Sequence, residues 1–168
     1  MAVAAGVTIN LESELELERL AQAGEQLGIT PRAAVRVNPS FELKTAGMKM
    51  GGVATQFGID AERVPAVLAR IAELGLDFRG FHIYAGSQNL KADAVIETHN
   101  QTFALASELG ALAASPVKTL NIGGGLGIPY FPGDSRLEMA PVTENLQRLM
   151  DSRDDVLANS EIVTELGR

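Results

Sequence analysis

The sequence predicts an α/β fold in which strand–helix units build a parallel sheet. Short β-branched segments alternate with amphipathic segments of about 12 residues or more, a spacing typical of βα units. Hydrophobic residues make up 46% of the chain and charged residues 21%, which is enough apolar material for one core. A doubly wound sheet and a (β/α) barrel both fit this order, and both bind ligands at the carboxyl ends of their strands.

Five strands and four helices are predicted along the chain. The first helix should begin with Ser13 as its N-cap and end near Gly28, and Asp60 should cap the second helix. Arg36 lies in an apolar strand, so it should either extend to solvent or pair with a carboxylate. The predicted strands cover residues 6–11, 33–39, a segment centred on 81–84, 117–122 and 160–168, and the predicted helices cover residues 12–28, 60–75, 92–115 and 143–153.

Residues 40–59 form the longest predicted connection, with the sequence SFELKTAGMKMGGVATQFGI. A connection of this length inside a compact domain is more often functional than not. Its KTAGMKMGG part is a candidate loop over a ligand, although its two lysines also fit a solvated surface.

The composition excludes several classes of function. The chain has 168 residues, which fits one domain, and its net charge of −7 disfavours nucleic acid or an anionic membrane as a partner. It contains no cysteine, which excludes disulfides and thiolate metal sites and fits a cytoplasmic protein. No apolar run approaches the ~20 residues of a membrane span, and the first residues do not resemble a signal peptide. No metal site is predicted.

Three consecutive glycines, Gly123, Gly124 and Gly125, follow a predicted strand in the segment LNIGGGLGIPY. Glycine lets other groups approach the backbone closely, so successive N–H groups can point into one concavity and hold a phosphate. Such a site needs no net positive charge, which suits an acidic chain. A plain tight turn explains the glycines equally well, and no Gly-Lys-Ser/Thr follows them as in a Walker loop.

Two further motifs lie at predicted strand ends. FHIYAGSQ contains His82 within a strand and Ser87 just after it. An isolated histidine there is more often a core residue, but a serine beside a glycine is a reasonable phosphate contact. TELGR contains Glu165 three residues before Arg168, a pair that suits either binding of a protonated nitrogen and an anion or a surface ion pair.

Taken together, these motifs resemble the fold type III pyridoxal-phosphate decarboxylases, which include diaminopimelate, ornithine and biosynthetic arginine decarboxylases. The resemblance is carried by INLESELELERL, RVNP, MGGVATQFGI, FHIYAGSQ, LNIGGGLGIPY and ELGR, in that order over nearly the whole chain. The variants GMKMGG, QFGI and HIYAGSQNL are most similar to a bacterial branch associated with exosortase loci. The resemblance implies a partial (β/α)8 TIM barrel of the alanine-racemase-like type, with about five βα units in this chain.

The resemblance also implies a cofactor, pyridoxal 5'-phosphate, and a role for each motif. His82 would stack on the cofactor ring, and Glu165 would accept a hydrogen bond from the pyridine nitrogen and keep it protonated. Arg168 would lie near the phosphate and the substrate. The phosphate itself would be held by Ser87 and by the backbone N–H groups of Gly123, Gly124 and Gly125. Leu166 stands where the family usually has proline, a change that leaves both charged residues of the motif in place.

The implied reaction is decarboxylation of a small-molecule amino-acid substrate, because a protonated pyridine ring accepts the electron pair left when CO2 departs. Two alternatives stay open at this point. One is a binding module that holds the phosphate without chemistry, and the other is an amino-acid racemase-type barrel. The parent enzyme is expected to be a homodimer.

Several parts of the family pattern have no match in this sequence. The family's cofactor-bonding lysine lies on its first barrel strand, and none of Lys44, Lys49, Lys91 and Lys118 fits that motif. The first three strands and the C-terminal β-domain also lack counterparts, so residues 1–168 are expected to be a central fragment of the barrel domain. We therefore expect the isolated chain to be inactive, to form no specific lysine adduct, and to self-associate along two open sheet edges.

Overall fold

The computed structural model describes residues 1–41, 48–49 and 57–166, and the secondary structure alternates along the chain as predicted. The strands are β1 (Ile9–Leu11), β2 (Arg32–Asn38), β3 (Met48–Lys49), β4 (Ile59–Asp60), β5 (Asp77–Ile83), β6 (Gly86–Ser87), β7 (Thr119–Asn121) and β8 (Glu161–Val163). The helices are α1 (Glu14–Leu27), α2 (Val64–Glu73), α3 (Ala92–Gly110) and α4 (Met139–Asp151). None of the described helices is both long and apolar enough to cross a bilayer.

The main sheet contains β1, β2, β5, β7 and β8 side by side in that order, and all of its neighbouring strands are parallel. The short β4 also pairs with the carboxyl end of β2. Each βα unit therefore adds its strand beside the previous one, without the reversal of order that defines a doubly wound sheet. The sequential order confirms the predicted segment of a (β/α) barrel. Self-association along the β1 and β8 edges stays a prediction.

The face of the sheet covered by helices is apolar from one edge to the other. Leu11, Val35, Phe81, Leu120 and Ile162 are register partners across the five main strands. The first four are at most 1% exposed, and all five pack with apolar side chains of α1, α2 and α3 in a single core. Because every helix in this core covers the same face, the opposite face is left for other contacts.

The opposite face becomes polar one residue further along β2, β5 and β7. Arg36, His82, Asn121 and Val163 are register partners on β2, β5, β7 and β8. Successive strand residues point to opposite faces, so these side chains lie on the face away from the helices. They also lie near the carboxyl ends of the strands, where barrel folds bind their ligands.

The predicted ends of α1 are confirmed. The Ser13 hydroxyl accepts a hydrogen bond from the Glu16 N–H group at 3.3 Å, and Gly28 ends the helix in the left-handed region with φ of 64°. The predicted cap at Asp60 is wrong, because its side chain makes no capping hydrogen bond. The Asp60 carboxylate instead accepts a hydrogen bond from Asn38 at 2.7 Å, and a 3-10 turn at Ala61–Arg63 precedes α2.

Other predicted boundaries differ from the structure by several residues. The first strand begins at Ile9 rather than at residue 6, because backbone hydrogen bonds hold residues 1–7 in a turn. Helix α3 ends at Gly110 rather than at 115, where a tighter turn takes over, and α4 begins at Met139 rather than at 143. The last strand ends at Val163. Most of the predicted loop at residues 40–59 lies outside the described residues, which there include β3, Phe57, Gly58 and β4.

Candidate functional site

His82 and Glu165 meet at the carboxyl edge of the sheet. His82 is the sixth residue of β5, and Glu165 follows β8 by two residues. The His82 Nε2 atom lies 3.4 Å from Glu165 Oε1, but it forms no hydrogen bond with any described residue. The His82 side chain is 10% exposed, whereas the Glu165 side chain is 51% exposed. A buried imidazole and an accessible carboxylate therefore face the same space.

Burial lowers the pKa of His82 below its usual value. The Arg36 guanidinium also lowers the pKa of this imidazole, while the Glu165 and Glu12 carboxylates act in the opposite direction. Since the net shift is downward, His82 is predominantly neutral at pH 7. It therefore offers a flat, uncharged ring at this edge.

An ion pair borders the site on the β1 side. Arg36 donates a hydrogen bond to Glu12 Oε1 at 2.8 Å, which confirms that this arginine finds a carboxylate partner. Glu12 Oε2 also accepts a hydrogen bond from the Gly58 N–H group at 3.2 Å, and the Arg36 guanidinium lies 5.1 Å from the centre of the Phe57 ring. The pair thus links β1 and β2 to the segment that leads into β4.

The glycine run is wedged between two backbone segments. A Cβ atom on Gly124 would lie 1.9 Å from the carbonyl oxygen of Glu165, and one on Gly125 would lie 2.2 Å from the carbonyl oxygen of Gly86. No side chain fits at either position. The run therefore brings the end of β8 close to the segment that follows β5, as a shared site requires.

The three predicted amide donors of the run differ in their availability. The Gly123 N–H group donates a hydrogen bond to Asn121 Oδ1 at 2.8 Å, and the Gly123 carbonyl accepts one from the Glu165 N–H group at 2.8 Å. The N–H groups of Gly124 and Gly125 make no hydrogen bond within the described part of the chain. Two adjacent backbone donors are therefore free to bind an anion.

Ser87 lies next to the glycine run. Its Cα atom is 3.7 Å from the position that a Cβ atom of Gly125 would occupy. The following residues fasten the two segments together, since the Asn89 N–H group donates to the Gly125 carbonyl at 2.9 Å. The Gln88 side-chain amide also exchanges two hydrogen bonds with the backbone of Ile128. Ser87, Gly124 and Gly125 are thereby held in one cluster.

Among the predicted site residues, His82, Ser87, the glycine run and Glu165 are brought together. Arg168 lies outside the described residues. Sequence reasoning missed Asn121, which contacts Glu165 directly, and Glu12, which pairs with Arg36 at the border of the site. A signal for Asn121 was available, because it is a polar residue in a short strand and stands two residues before Gly123.

The described lysines differ in their position relative to this cluster. The backbone of Lys49 in β3 pairs with Gly86 of β6, next to Ser87, whereas Lys118 lies elsewhere. Lys118 precedes β7, and its ammonium group donates to Asp77 at 2.7 Å, at the amino edge of the sheet. That edge is opposite to the one that carries His82 and Glu165. Lys44 lies outside the described residues.

Comparison with known proteins identifies the family. Over residues 1–168 the chain matches the family described as pyridoxal-dependent decarboxylase, pyridoxal binding domain. It is 32% identical over 171 residues to the L-glutamyl-[BtrI acyl-carrier protein] decarboxylase of Niallia circulans, covering 100% of this chain and 40% of that protein. It is 34% identical over 163 residues to the diaminopimelate decarboxylase of Aquifex aeolicus, covering 95% of this chain and 37% of that protein.

Solved structures agree with this assignment. The diaminopimelate decarboxylase from M. jannaschi superposes with a TM-score of 0.78 at 26% identity, covering 97% of this chain and 38% of that chain. The Helicobacter pylori enzyme, complexed with L-lysine, shares the fold with a TM-score of 0.78 at 22% identity, covering 96% of this chain and 40% of that chain. The chain thus spans at most about 40% of the length of these relatives. Because the family model matches over residues 1–168, the chain belongs to the pyridoxal-dependent decarboxylases.

Proposed function

We propose that this chain forms part of the pyridoxal-phosphate site of a carboxy-lyase that removes the α-carboxylate of an amino acid. The observation that carries the proposal is the convergence of His82, Glu165 and the free N–H groups of Gly124 and Gly125 at one sheet edge. The homodimeric parent and the cytoplasmic location expected from the sequence belong to the same proposal.

The glycine run and Ser87 suit the phosphate of the cofactor. The N–H groups of Gly124 and Gly125 make no hydrogen bond within the described residues, and such backbone donors can hold a phosphate without an accompanying positive charge. The Ser87 hydroxyl adds a third donor beside Gly125. The N–H group of Gly123 is already bonded to Asn121, so we assign it a smaller part than the sequence suggested.

His82 suits the face of the pyridine ring, and Glu165 suits the edge that carries the ring nitrogen. A neutral imidazole stacks on a protonated ring without charge repulsion, and burial keeps His82 neutral. Glu165 is accessible, and among the described residues only the Asn121 side chain donates to it, at Oε1. The carboxylate can therefore also accept a hydrogen bond from the protonated ring nitrogen. When bound, pyridoxal phosphate supplies an electron sink for the pair released as CO2 leaves. The role of Arg168 stays a prediction.

The test uses the full-length parent protein, because the isolated chain is expected to be inactive. Its apoprotein is titrated with pyridoxal phosphate, followed by absorbance, and amino acids are then screened for CO2 release. Wild-type protein should bind the cofactor saturably. Glu165→Gln should keep the phosphate contacts but reduce CO2 release by about 10²-fold or more, because the ring nitrogen loses its anionic partner. Glu161→Gln is the matched control, since this exposed carboxylate lies at the other end of the same strand.

The outcomes separate the proposal from its alternatives. Saturable binding without CO2 release from any amino acid would favour the binding module. Racemisation without CO2 release would favour the racemase-type barrel. The absence of saturable cofactor binding would refute the proposed function as a whole.

A further inference from the structure

Asn121 occupies the centre of the candidate site. It is the last residue of β7, and it is the register partner of His82 on the neighbouring strand β5. Its side chain contacts both chain segments that we assign to the cofactor. The Nδ2 group donates to Glu165 Oε1 at 2.9 Å, and Oδ1 accepts from the Gly123 N–H group at 2.8 Å.

These two contacts fix the orientation of the Asn121 amide. An ionised carboxylate can only accept and a backbone N–H group can only donate, so only one of the two amide orientations satisfies both partners. A third hydrogen bond, from the Glu165 N–H group to the Gly123 carbonyl at 2.8 Å, joins the same two partners through the backbone. Asn121, Gly123 and Glu165 therefore form a closed ring of hydrogen bonds.

This closed set of hydrogen bonds restrains the Glu165 side chain, which makes few other contacts. The Glu165 side chain is 51% exposed, and its contact with His82 is not a hydrogen bond. Within the described residues, the Asn121 amide is thus the only hydrogen-bond donor to this carboxylate. A flexible glutamate that is left without a donor samples several rotamers and spends less time facing the ring nitrogen.

We propose that Asn121 is a positioning residue that holds the Glu165 carboxylate and the first turn of the glycine run in one fixed arrangement. Through this residue the ring-nitrogen partner and the phosphate donors are coupled, so a change at Asn121 weakens both ends of the cofactor site. The inference rests on the proposed function, because it assigns Glu165 and the glycine run to pyridoxal phosphate.

Three variants test this role in the apoprotein. Asn121→Leu has a similar size and loses both hydrogen bonds, whereas Asn121→Asp keeps the acceptor for Gly123 and loses the donor to Glu165. Asn159→Asp is the matched control, since it makes the same charge change at an exposed position before β8. Circular dichroism reports folding, and absorbance titration with pyridoxal phosphate reports affinity.

The expected order of affinity is wild type and Asn159→Asp first, Asn121→Asp next and Asn121→Leu last. The loss in the leucine variant should be about tenfold or more, because a hydrogen bond to the charged Glu165 and one to the Gly123 backbone are both lost. Wild-type affinity in a folded Asn121→Leu protein would overturn the proposal. If Asn121→Leu does not fold, the affinity of Asn121→Asp is the test. Wild-type affinity for pyridoxal phosphate in Asn121→Asp would then overturn the proposal.

A second measurement does not depend on the cofactor. The His82 imidazole can be titrated by NMR in the apoprotein, where the charged groups around it are Glu165, Arg36 and Glu12. Asn121→Asp adds a carboxylate on the register partner of His82, so the midpoint should rise, and Asn159→Asp should leave it unchanged. An unchanged midpoint in Asn121→Asp would refute the placement of Asn121 beside His82 and Glu165. Wild-type protein that fails to bind pyridoxal phosphate would instead refute the proposed function.

Discussion

Gly124→Ala should damage the candidate site, because it creates the shortest contact of any single-methyl change in the glycine run. The added Cβ atom would lie 1.9 Å from the carbonyl oxygen of Glu165, and real Cβ atoms essentially never approach another atom closer than 3.0 Å. The two segments must therefore separate by about 1.1 Å. Neither neighbour can yield cheaply, because the atom that is struck belongs to the backbone rather than to a flexible side chain.

The size of the expected losses in stability and in cofactor affinity follows from this displacement. Overpacking of this kind costs about 1–3 kcal/mol of unfolding free energy. A shift of about 1 Å also moves the Gly124 and Gly125 donors away from a bound phosphate, and hydrogen bonds to charged groups contribute about 1.5–3 kcal/mol each. The affinity for pyridoxal phosphate should therefore fall by about tenfold or more.

Gly28→Ala is the control, because it should lower the unfolding free energy by an amount similar to that of Gly124→Ala. Gly28 ends α1 with φ of 64° and has no atom within 4 Å of its would-be Cβ, so alanine there costs about 1–2 kcal/mol of backbone strain without touching the site. Urea denaturation followed by circular dichroism measures both losses, and absorbance titration measures cofactor affinity. Equal cofactor affinity in the two variants would show that the tight packing of Gly124 is irrelevant to binding.

Two further predictions concern stability. Ser13→Ala should lower the unfolding free energy by about 1 kcal/mol in urea denaturation, since it removes the N-cap of α1, and an unchanged denaturation midpoint would contradict this. Burial lowers the pKa of His99 from 6.5, so the unfolded chain binds more protons and stability should fall as the pH drops below about 6.5. His99→Leu should flatten that fall between about pH 7 and pH 5, and an equally steep fall in the variant would refute the assignment.

The sequence was sufficient for the features that depend on local chemistry. The alternation of strands and helices, the cap at Ser13 and the glycine run after a strand all have local causes, and the pattern predicted all three even where element boundaries differ. Asp60 was mispredicted because its carboxylate has a competing partner, Asn38, that is distant in sequence. No local pattern reveals such a competition.

The site was predictable only in part for the same reason. His82 and Glu165 could be named from their motifs, but their 3.4 Å contact depends on the register of β5, β7 and β8. Asn121 was overlooked because its importance lies in two partners rather than in its own chemistry. Whether the sheet was doubly wound or barrel-like also required the order of the strands, which helix and strand patterns do not encode.

The alternation of the two faces along each strand has a consequence for folding. Arg36, His82 and Asn121 reach the ligand side only when their strands pair in the observed register, and a slip of one residue would present Val35, Phe81 or Leu120 instead. A ligand that binds at this edge therefore recognises correctly aligned chains and ignores misaligned ones. By mass action, such a ligand would shift the equilibrium from misaligned chains toward correctly aligned ones. It would therefore favour the native strand register in addition to its role in the reaction.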